Sequence, residues 1–444
     1  MKPTVGMVSL GCSKNRVDSE NLLGFLSEKG YPIVADPAEA DIIFVNTCGF
    51  IEPAKVESID TIFEMAQYKQ TGRLQKLFVT GCLSQRYSGD LAAEMPEVDG
   101  FLGVKDYDRI AEMMAEAEKD LRPVFTDGHD RFFTTRRVLT TPGYTAYVKI
   151  SDGCDNRCTY CAIPLIRGRY ESRPFEDIIA ECEALAARGV TEITLIAQDT
   201  SRYGNDFEGH PLLLKKLLQA VSDIEGIHWV RVLYTYPDTV NEELLDAMVS
   251  IPKVAPYLDL PLQHINGRLL KAMNRRGTPE HIKQLIAACH ERGIVTRTTM
   301  IVGFPGETEE EFRELLDFVR DARFERLGAF TYSAEEGTPA AAMPDQIDEA
   351  VKERRLDELM MLQQSISMDA NEARIGEVCE VLVDGQEDGE YIGRSLKEAP
   401  EIDGNIRFTS HRELAPGAYV TVKITGAEAY DLTGEEVQRI CPTN

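Results

Sequence analysis

The sequence predicts an α/β protein in three parts: an N-terminal parallel α/β domain, a central partial (β/α)6 barrel, and a small C-terminal antiparallel β-barrel. Three observations predict it. Short apolar runs alternate with helical periodicity through the first 130 residues. Six further strand–helix units follow from Tyr144 to about Phe330. From Gly376 the pattern changes to short alternating strands with Asp-Gly between them. The expected boundaries are 1–130, a linker at 131–143, 144–370 and 371–444. A chain of 444 residues needs such division, since one core rarely grows past roughly 250–300 residues.

In the first part, Thr4–Leu10, Asp41–Asn46 and Lys76–Thr80 read as strands buried on both faces. The helix after the first strand carries Leu22, Phe25 and Leu26 on one side and stops at Gly30. A polar stretch ending in Pro142-Gly143 breaks the alternation and marks the linker. Central strands are expected at Tyr144–Ile150, Glu192–Ala197, Trp229–Thr235, Tyr257–Leu262, Val295–Val302 and Leu327–Tyr332. Helices intervene at Phe175–Arg188, Pro211–Ser222, Asn241–Met248, Pro279–Arg292 and Glu309–Ala322. Six units are two short of the closed eight-stranded barrel, which leaves one side open. Residues 345–374 read as a charged helix with Leu356, Met360 and Leu362 inward. The last part should turn at Asp384-Gly385, Asp388-Gly389 and Asp403-Gly404.

Composition narrows the function classes. The hydrophobic share of 43% and charged share of 27% are ordinary for a globular chain. No run approaches the roughly 18 apolar residues of a membrane span, and the N-terminus shows no signal pattern, so a cytoplasmic protein is expected. The formal charge of −26 repels a polyphosphate backbone and favours a basic partner.

Ten cysteines in such a chain do not suggest a disulfide framework. Cys182 and Cys289 lie on apolar helix stripes, Cys379 alternates with Val381 and Val383, and Cys441 stands near the end; these read as packing. Cys154, Cys158 and Cys161 share one loop after a strand, spaced Cys-x-x-x-Cys-x-x-Cys. A structural zinc site is the bland reading, but zinc normally takes four ligands. Three thiolates can instead hold three irons of a [4Fe–4S] cluster and leave the fourth open to a ligand. Cys12, Cys48 and Cys82 lie far apart, yet each follows an apolar run and has a neighbouring glycine. That puts all three at the carboxyl edge of a parallel sheet, where open α/β folds bind ligands.

The spacing around Cys154, after the first strand of a six-unit β/α domain, resembles the radical S-adenosylmethionine superfamily. The resemblance implies that the open iron chelates S-adenosylmethionine, whose reductive cleavage yields methionine and a 5′-deoxyadenosyl radical. With the N-terminal cysteines and a C-terminal domain resembling TRAM, nearly the whole chain resembles the methylthiotransferases. That implies two [4Fe–4S] clusters, Cys12, Cys48 and Cys82 holding the auxiliary one. Gly303, Gly306 and Glu307 resemble the superfamily's glycine-rich fifth-strand motif. Gln198 stands where many members carry Gly-Gly-Glu to hold the methionyl amine. His264 is assigned no catalytic role, since a lone histidine is as often a satisfied core residue. No cluster ligand is placed within 371–444, so that domain reads as removable without loss of either cluster.

Two strings, Ser9-Leu10-Gly11-Cys12-Ser13-Lys14-Asn15-Arg16 and Ser151-Asp152-Gly153-Cys154-Asp155-Asn156, resemble the protein-modifying branch of that family. This branch implies methylthiolation of an aspartate β-carbon in a small-subunit ribosomal protein, the twelfth, with a flavodoxin- or ferredoxin-type electron donor and a sulfur donor. Charge argues the same way: residues 372–441 hold 15 Asp and Glu against 7 Lys and Arg, whereas a tRNA-binding face should be basic. Nucleic acid is then met only through the ribosome. Glu387, Asp388, Glu390, Glu401 and Asp403, beside the Asp-Gly turns, are the expected exposed recognition residues. The alternatives are a tRNA adenosine methylthiotransferase and a non-catalytic iron–sulfur electron-transfer protein.

Overall fold

The computed structural model describes residues 2–128 and 136–438. Residues 131–135 of the expected linker and Cys441 lie outside the described residues. The predicted fold class is what the chain adopts. Five parallel strands form the N-terminal sheet in sequential order: β1 (Val5–Ser9), β2 (Ile42–Thr47), β3 (Lys76–Gly81), β4 (Gly100–Leu102) and β5 (Val124–Phe125). Helices α2 (Glu52–Thr71) and α3 (Cys82–Glu94) cover one face through Ile62, Met65, Leu83 and Leu91. The other face is covered by α1 (Ser13–Glu28), through Leu22 and Leu26, and by α4 (Ile110–Ala117). After α1 the chain returns to bridge Val5 at Ile33 before crossing to β2. This reversal makes the β1–β2 carboxyl edge a topological switch point, the crevice where such sheets take ligands.

The central domain is an arc of six parallel strands: β6 (Thr145–Lys149), β7 (Glu192–Ile196), β8 (Trp229–Val232), β9 (Tyr257–Asp259), β10 (Val295–Val302) and β11 (Arg326–Thr331). A single bridge, Val230 to Val254, joins its two three-stranded halves. The five expected intervening helices pack outside, giving one core from Val148 and Ile178 round to Leu315 and Phe324. Cys182 and Cys289 are fully buried there. The helix Glu349–Glu372 adds Leu359 and Ile366 to the same core. No strand pairs β6 with β11, and α1 of the N-terminal domain packs against β6 at that opening.

The C-terminal strands β12 (Val378–Glu387), β13 (Glu390–Arg394), β14 (Ile406–Thr409), β15 (Tyr419–Ala427) and β16 (Leu432–Glu436) close into a barrel. Asp388-Gly389 turns the β12–β13 hairpin, both residues having positive φ. Asp384-Gly385 is not a turn: it lies within β12, at a register shift between Val383 and Gly385.

This barrel is not a separable appendage. Its Ser395–Asp403 segment runs under the central arc, and Ala399 is fully buried among Tyr147, Tyr257 and Leu233. Tyr147 and Tyr257 donate hydroxyl hydrogen bonds to Glu401 (3.1 Å) and Asp403 (2.7 Å). Arg231 donates to the Leu396 carbonyl at 2.9 Å. Arg394 grips buried Glu192 with both nitrogens, at 3.2 and 3.1 Å. Removing 371–444 therefore strips the floor of the central domain, contrary to the sequence expectation. Asp403 is corrected too: its carboxylate is 3% exposed, so it is no surface recognition residue. Glu401 is tied to Arg16 at 2.5 Å and serves the joint. An Asp-Gly pair favours a turn but neither guarantees one nor says which side of it faces solvent.

Candidate functional site

Each N-terminal cysteine sits where a β-strand ends. Cys12 is the residue before α1, Cys48 follows β2, and Cys82 opens α3 directly after β3. Two glycines let these three loops interlock. A Cβ on Gly11, whose φ is +83°, would stand 2.9 Å from Cys48 Cβ. One on Gly49 would meet the Leu83 backbone at 2.8 Å. No larger residue allows that approach. Asn15 Nδ2 ties the same loops by donating to the carbonyls of Leu10 and Thr47.

The second triad occupies the loop after β6. The Cys154 N–H donates to the Gly168 carbonyl, and Asn274 Nδ2 donates to the Asn156 and Arg157 carbonyls. The first half of the loop is thus pinned. Cys154, Cys158 and Cys161 line one cavity of about 380 Å³ with Arg157, Pro164 and Gly337. Arg275 and the Tyr236 hydroxyl each approach Cys158 Sγ at 3.8 Å.

The thiols differ in electrostatic setting. Burial pushes Cys154 up to about 11 and Cys82 to about 12, and raises Cys48 and Cys161. Cys12 is exposed, and what desolvation it meets is outweighed by Lys14, Arg167 and the backbone N–H groups of Asn15 and Lys14, so its thiol falls below the ordinary value. A buried thiol becomes a thiolate when a metal replaces its proton. Among the described residues, no three His, Cys, Asp or Glu groups close around a point as for a single ion. Two sets of three soft sulfur donors suit larger multi-iron clusters instead.

Between the triads lies a buried charge cluster that sequence reasoning missed. Lys149, in β6, pairs with Asp18 of α1 and with Asp152. Arg167 pairs with Asp18 at 2.8 Å and Asp152 at 3.1 Å, and its Nη2 lies 3.7 Å from Cys82 Sγ. All four side chains are less than a tenth exposed.

The candidate cofactor residues divide. Gln198 Nε2 donates to Asp152 at 3.0 Å, while its buried Oε1 has no partner. That orphaned acceptor fits an amine such as the one a methionyl group carries. Glu307 is committed elsewhere. It is bonded to the Gly303 N–H (2.6 Å), His264 Nε2 (3.1 Å) and Arg355 (2.5 Å), and all of its side chain is buried. It shapes the Gly303–Gly306 turn and offers no free oxygen to a cofactor. A Cβ on Gly303 would meet the Lys352 stem at 2.3 Å, so this glycine admits that side chain. His264, with Nδ1 accepting from the Asn266 N–H, is a satisfied core residue.

Fold and site together define a radical S-adenosylmethionine protein with an appended N-terminal cysteine domain and a C-terminal TRAM barrel. Residues 148–319 match the radical SAM superfamily, residues 4–103 the uncharacterized protein family UPF0004, and residues 375–437 the TRAM domain. The chain belongs to the methylthiotransferase family whose curated members carry the name ribosomal protein uS12 methylthiotransferase RimO. It is 50% identical to the member from Pelotomaculum thermopropionicum over 442 residues, covering 98% of this chain and 99% of that one. The Clostridium botulinum (strain Loch Maree) protein is 50% identical over 439 residues, 98% of each. In fold it resembles the radical S-adenosylmethionine methyltransferase TsrM of Kitasatospora setae, with a TM-score of 0.56 at 16% identity, covering 88% of this chain and 81% of that one. The chain is a radical S-adenosylmethionine methylthiotransferase, with a [4Fe–4S] cluster and S-adenosylmethionine as its cofactors. Among the described residues no helix is long and apolar enough to cross a membrane.

Proposed function

We propose that this chain methylthiolates the β-carbon of an aspartate in ribosomal protein uS12, in the cytoplasm. Cys154, Cys158 and Cys161 hold the cluster that binds S-adenosylmethionine, and Cys12, Cys48 and Cys82 hold a second one. When bound, the cofactors supply hydrogen abstraction and sulfur transfer at a carbon with no acid–base handle. The observation carrying the reading is that the surroundings of the two triads are joined by Arg167, through Asp18 and Cys82 on one side and Asp152 on the other. Sulfur and radical chemistry must act on one carbon, so the two centres have to open on one space. Gln198 Oε1 holds the methionyl amine, and the packed residues around Cys158 exclude water.

The substrate end rests on Glu387, Asp388 and Glu390 at the tip of the β12–β13 hairpin. Glu387 and Asp388 are exposed and Glu390 half-buried. Their charge attracts a basic protein and repels tRNA. A flavodoxin- or ferredoxin-type protein supplies electrons and a separate donor the sulfur. The test is anaerobic incubation of the reconstituted enzyme with uS12 and tRNA in competition, read by mass spectrometry. A methylthio mark on the protein alone is expected. A mark on tRNA alone refutes the substrate assignment.

A further inference from the structure

Arg167 has no assigned part in the reaction, yet it touches the surroundings of both triads. Its side chain is 2% exposed. Nη1 faces Asp152, two residues before Cys154, at 3.1 and 3.3 Å. Nη2 faces Asn15 Oδ1 at 2.6 Å, Asp18 at 2.8 Å and Cys82 Sγ at 3.7 Å. A buried guanidinium is costly unless its charge is met, and two carboxylates shared with Lys149 meet it. Two carboxylates already meet the guanidinium charge, so a contact with sulfur is not needed for stability. The third contact of Nη2, a shared one to Cys82 Sγ at 3.7 Å beside the shorter bonds to Asn15 and Asp18, is therefore the feature that a purely structural role leaves unexplained.

Hydrogen bonds to cluster sulfurs and nearby positive charge both favour the reduced, more negative cluster, and so raise its reduction potential. We infer that Arg167 is a positioning residue for the N-terminal centre: its N–H to Cys82 Sγ holds that ligand and keeps the centre easier to reduce. Its grip on Asp152 fixes the same centre against the Cys154 loop. This inference rests on the reading that Cys12, Cys48 and Cys82 ligate a cluster.

The test uses the full-length, anaerobically reconstituted protein and its R167K and R167Q variants. Iron is counted, and each reduced cluster is followed by electron paramagnetic resonance through a redox titration. Added S-adenosylmethionine alters only the signal of the cluster it binds, so the insensitive signal belongs to the N-terminal centre. Both variants should keep about eight irons, and the insensitive signal should move to lower potential, further in R167Q than in R167K. The sensitive signal should stay in place. If R167Q does not fold, R167K, which keeps the charge but not the fork, decides the matter. An unmoved insensitive signal in R167K overturns the inference, as does an equal shift of both signals or loss of iron from both sites. About four irons in the unmodified protein would instead overturn the two-cluster reading.

Discussion

Replacing Arg394 by Met should loosen the joint between the central domain and the C-terminal barrel. Glu192 sits at the start of β7 with a fully buried side chain, and Arg394 holds both its oxygens. After the change Glu192 keeps the Thr145 hydroxyl at 3.0 Å and Arg231 at 3.6 Å, too few contacts to replace a bidentate fork. Removing one partner of a buried pair costs about 3–5 kcal/mol. The surviving contacts place this case near the lower end, about 3 kcal/mol. Arg394 also bonds Asp384, which is 25% exposed and adds at most about 1 kcal/mol. The assay is built into the chain. Its single tryptophan, Trp229, is buried in β8 with its ring 4.9 Å from that of Tyr419 across the joint. Urea unfolding followed by Trp229 fluorescence should show the loss as an earlier transition. In the E192Q/R394M double variant the Glu192 charge is no longer stranded, but buried Arg231 loses its carboxylate, so only part of the loss should return. A single variant within about 0.5 kcal/mol of the parent refutes the argument.

Changing Cys154, Cys158 and Cys161 together to Ala should halve the iron content and abolish S-adenosylmethionine cleavage; changing Cys12, Cys48 and Cys82 should halve the iron but leave cleavage measurable by 5′-deoxyadenosine release. Acid should open the C-terminal joint. Glu192 and Glu398 are buried and Glu377 half-buried, which raises them, but Arg394, Arg374 and their other cationic partners outweigh this and leave them below the usual carboxylate value. The stability they lend is present above the unfolded-state value, near 4.5, and is lost as pH falls through the lower folded values. Asp403 has the opposite sign, burial raising it, so its protonation offsets part of the loss. Trp229 fluorescence against pH reads the sum, and a signal flat to the lowest pH refutes it. Reversing Glu387 and Asp388 to Lys should raise KM for uS12 with little change in kcat, and should weaken the salt dependence of kcat/KM; unchanged kinetics would remove the hairpin from recognition.

Local signals carried much of this architecture. β10 and the helix Glu309–Ala322 fall where periodicity placed them, because their burial alternates with the sequence period. Cys12, Cys48 and Cys82 could be put at strand ends because each follows an apolar run, and those are the positions they occupy; Cys154, Cys158 and Cys161 share the loop that follows β6. What stayed hidden depends on partners distant in sequence. Asp18, Lys149, Asp152 and Arg167 look like ordinary surface charges until α1 is packed on β6. Glu307 was legible as a loop acid but not as one held by Arg355, 48 residues on. Asp403 was misread for the same reason, since its partner Tyr257 lies in another domain, whereas Glu401 is exposed as expected but shared with Arg16 and Tyr147.

The Ser395–Asp403 segment also bears on the order in which the molecule can be made. Synthesis runs from the N-terminus, and domains commonly fold as they emerge. Here the central arc cannot complete its floor until residues near its own C-terminus have left the ribosome, and Arg16 waits 385 positions for Glu401. Contacts of such span close slowly, because the loop entropy is lost before the contact forms. The Cys154 loop is thus translated long before the arc that carries it is closed. A rigid pocket for the cluster is then complete only once the Ser395–Asp403 segment has emerged. An enzyme whose chemistry generates radicals gains from that delay: a nascent, half-built site is the one least able to exclude water and stray reactants.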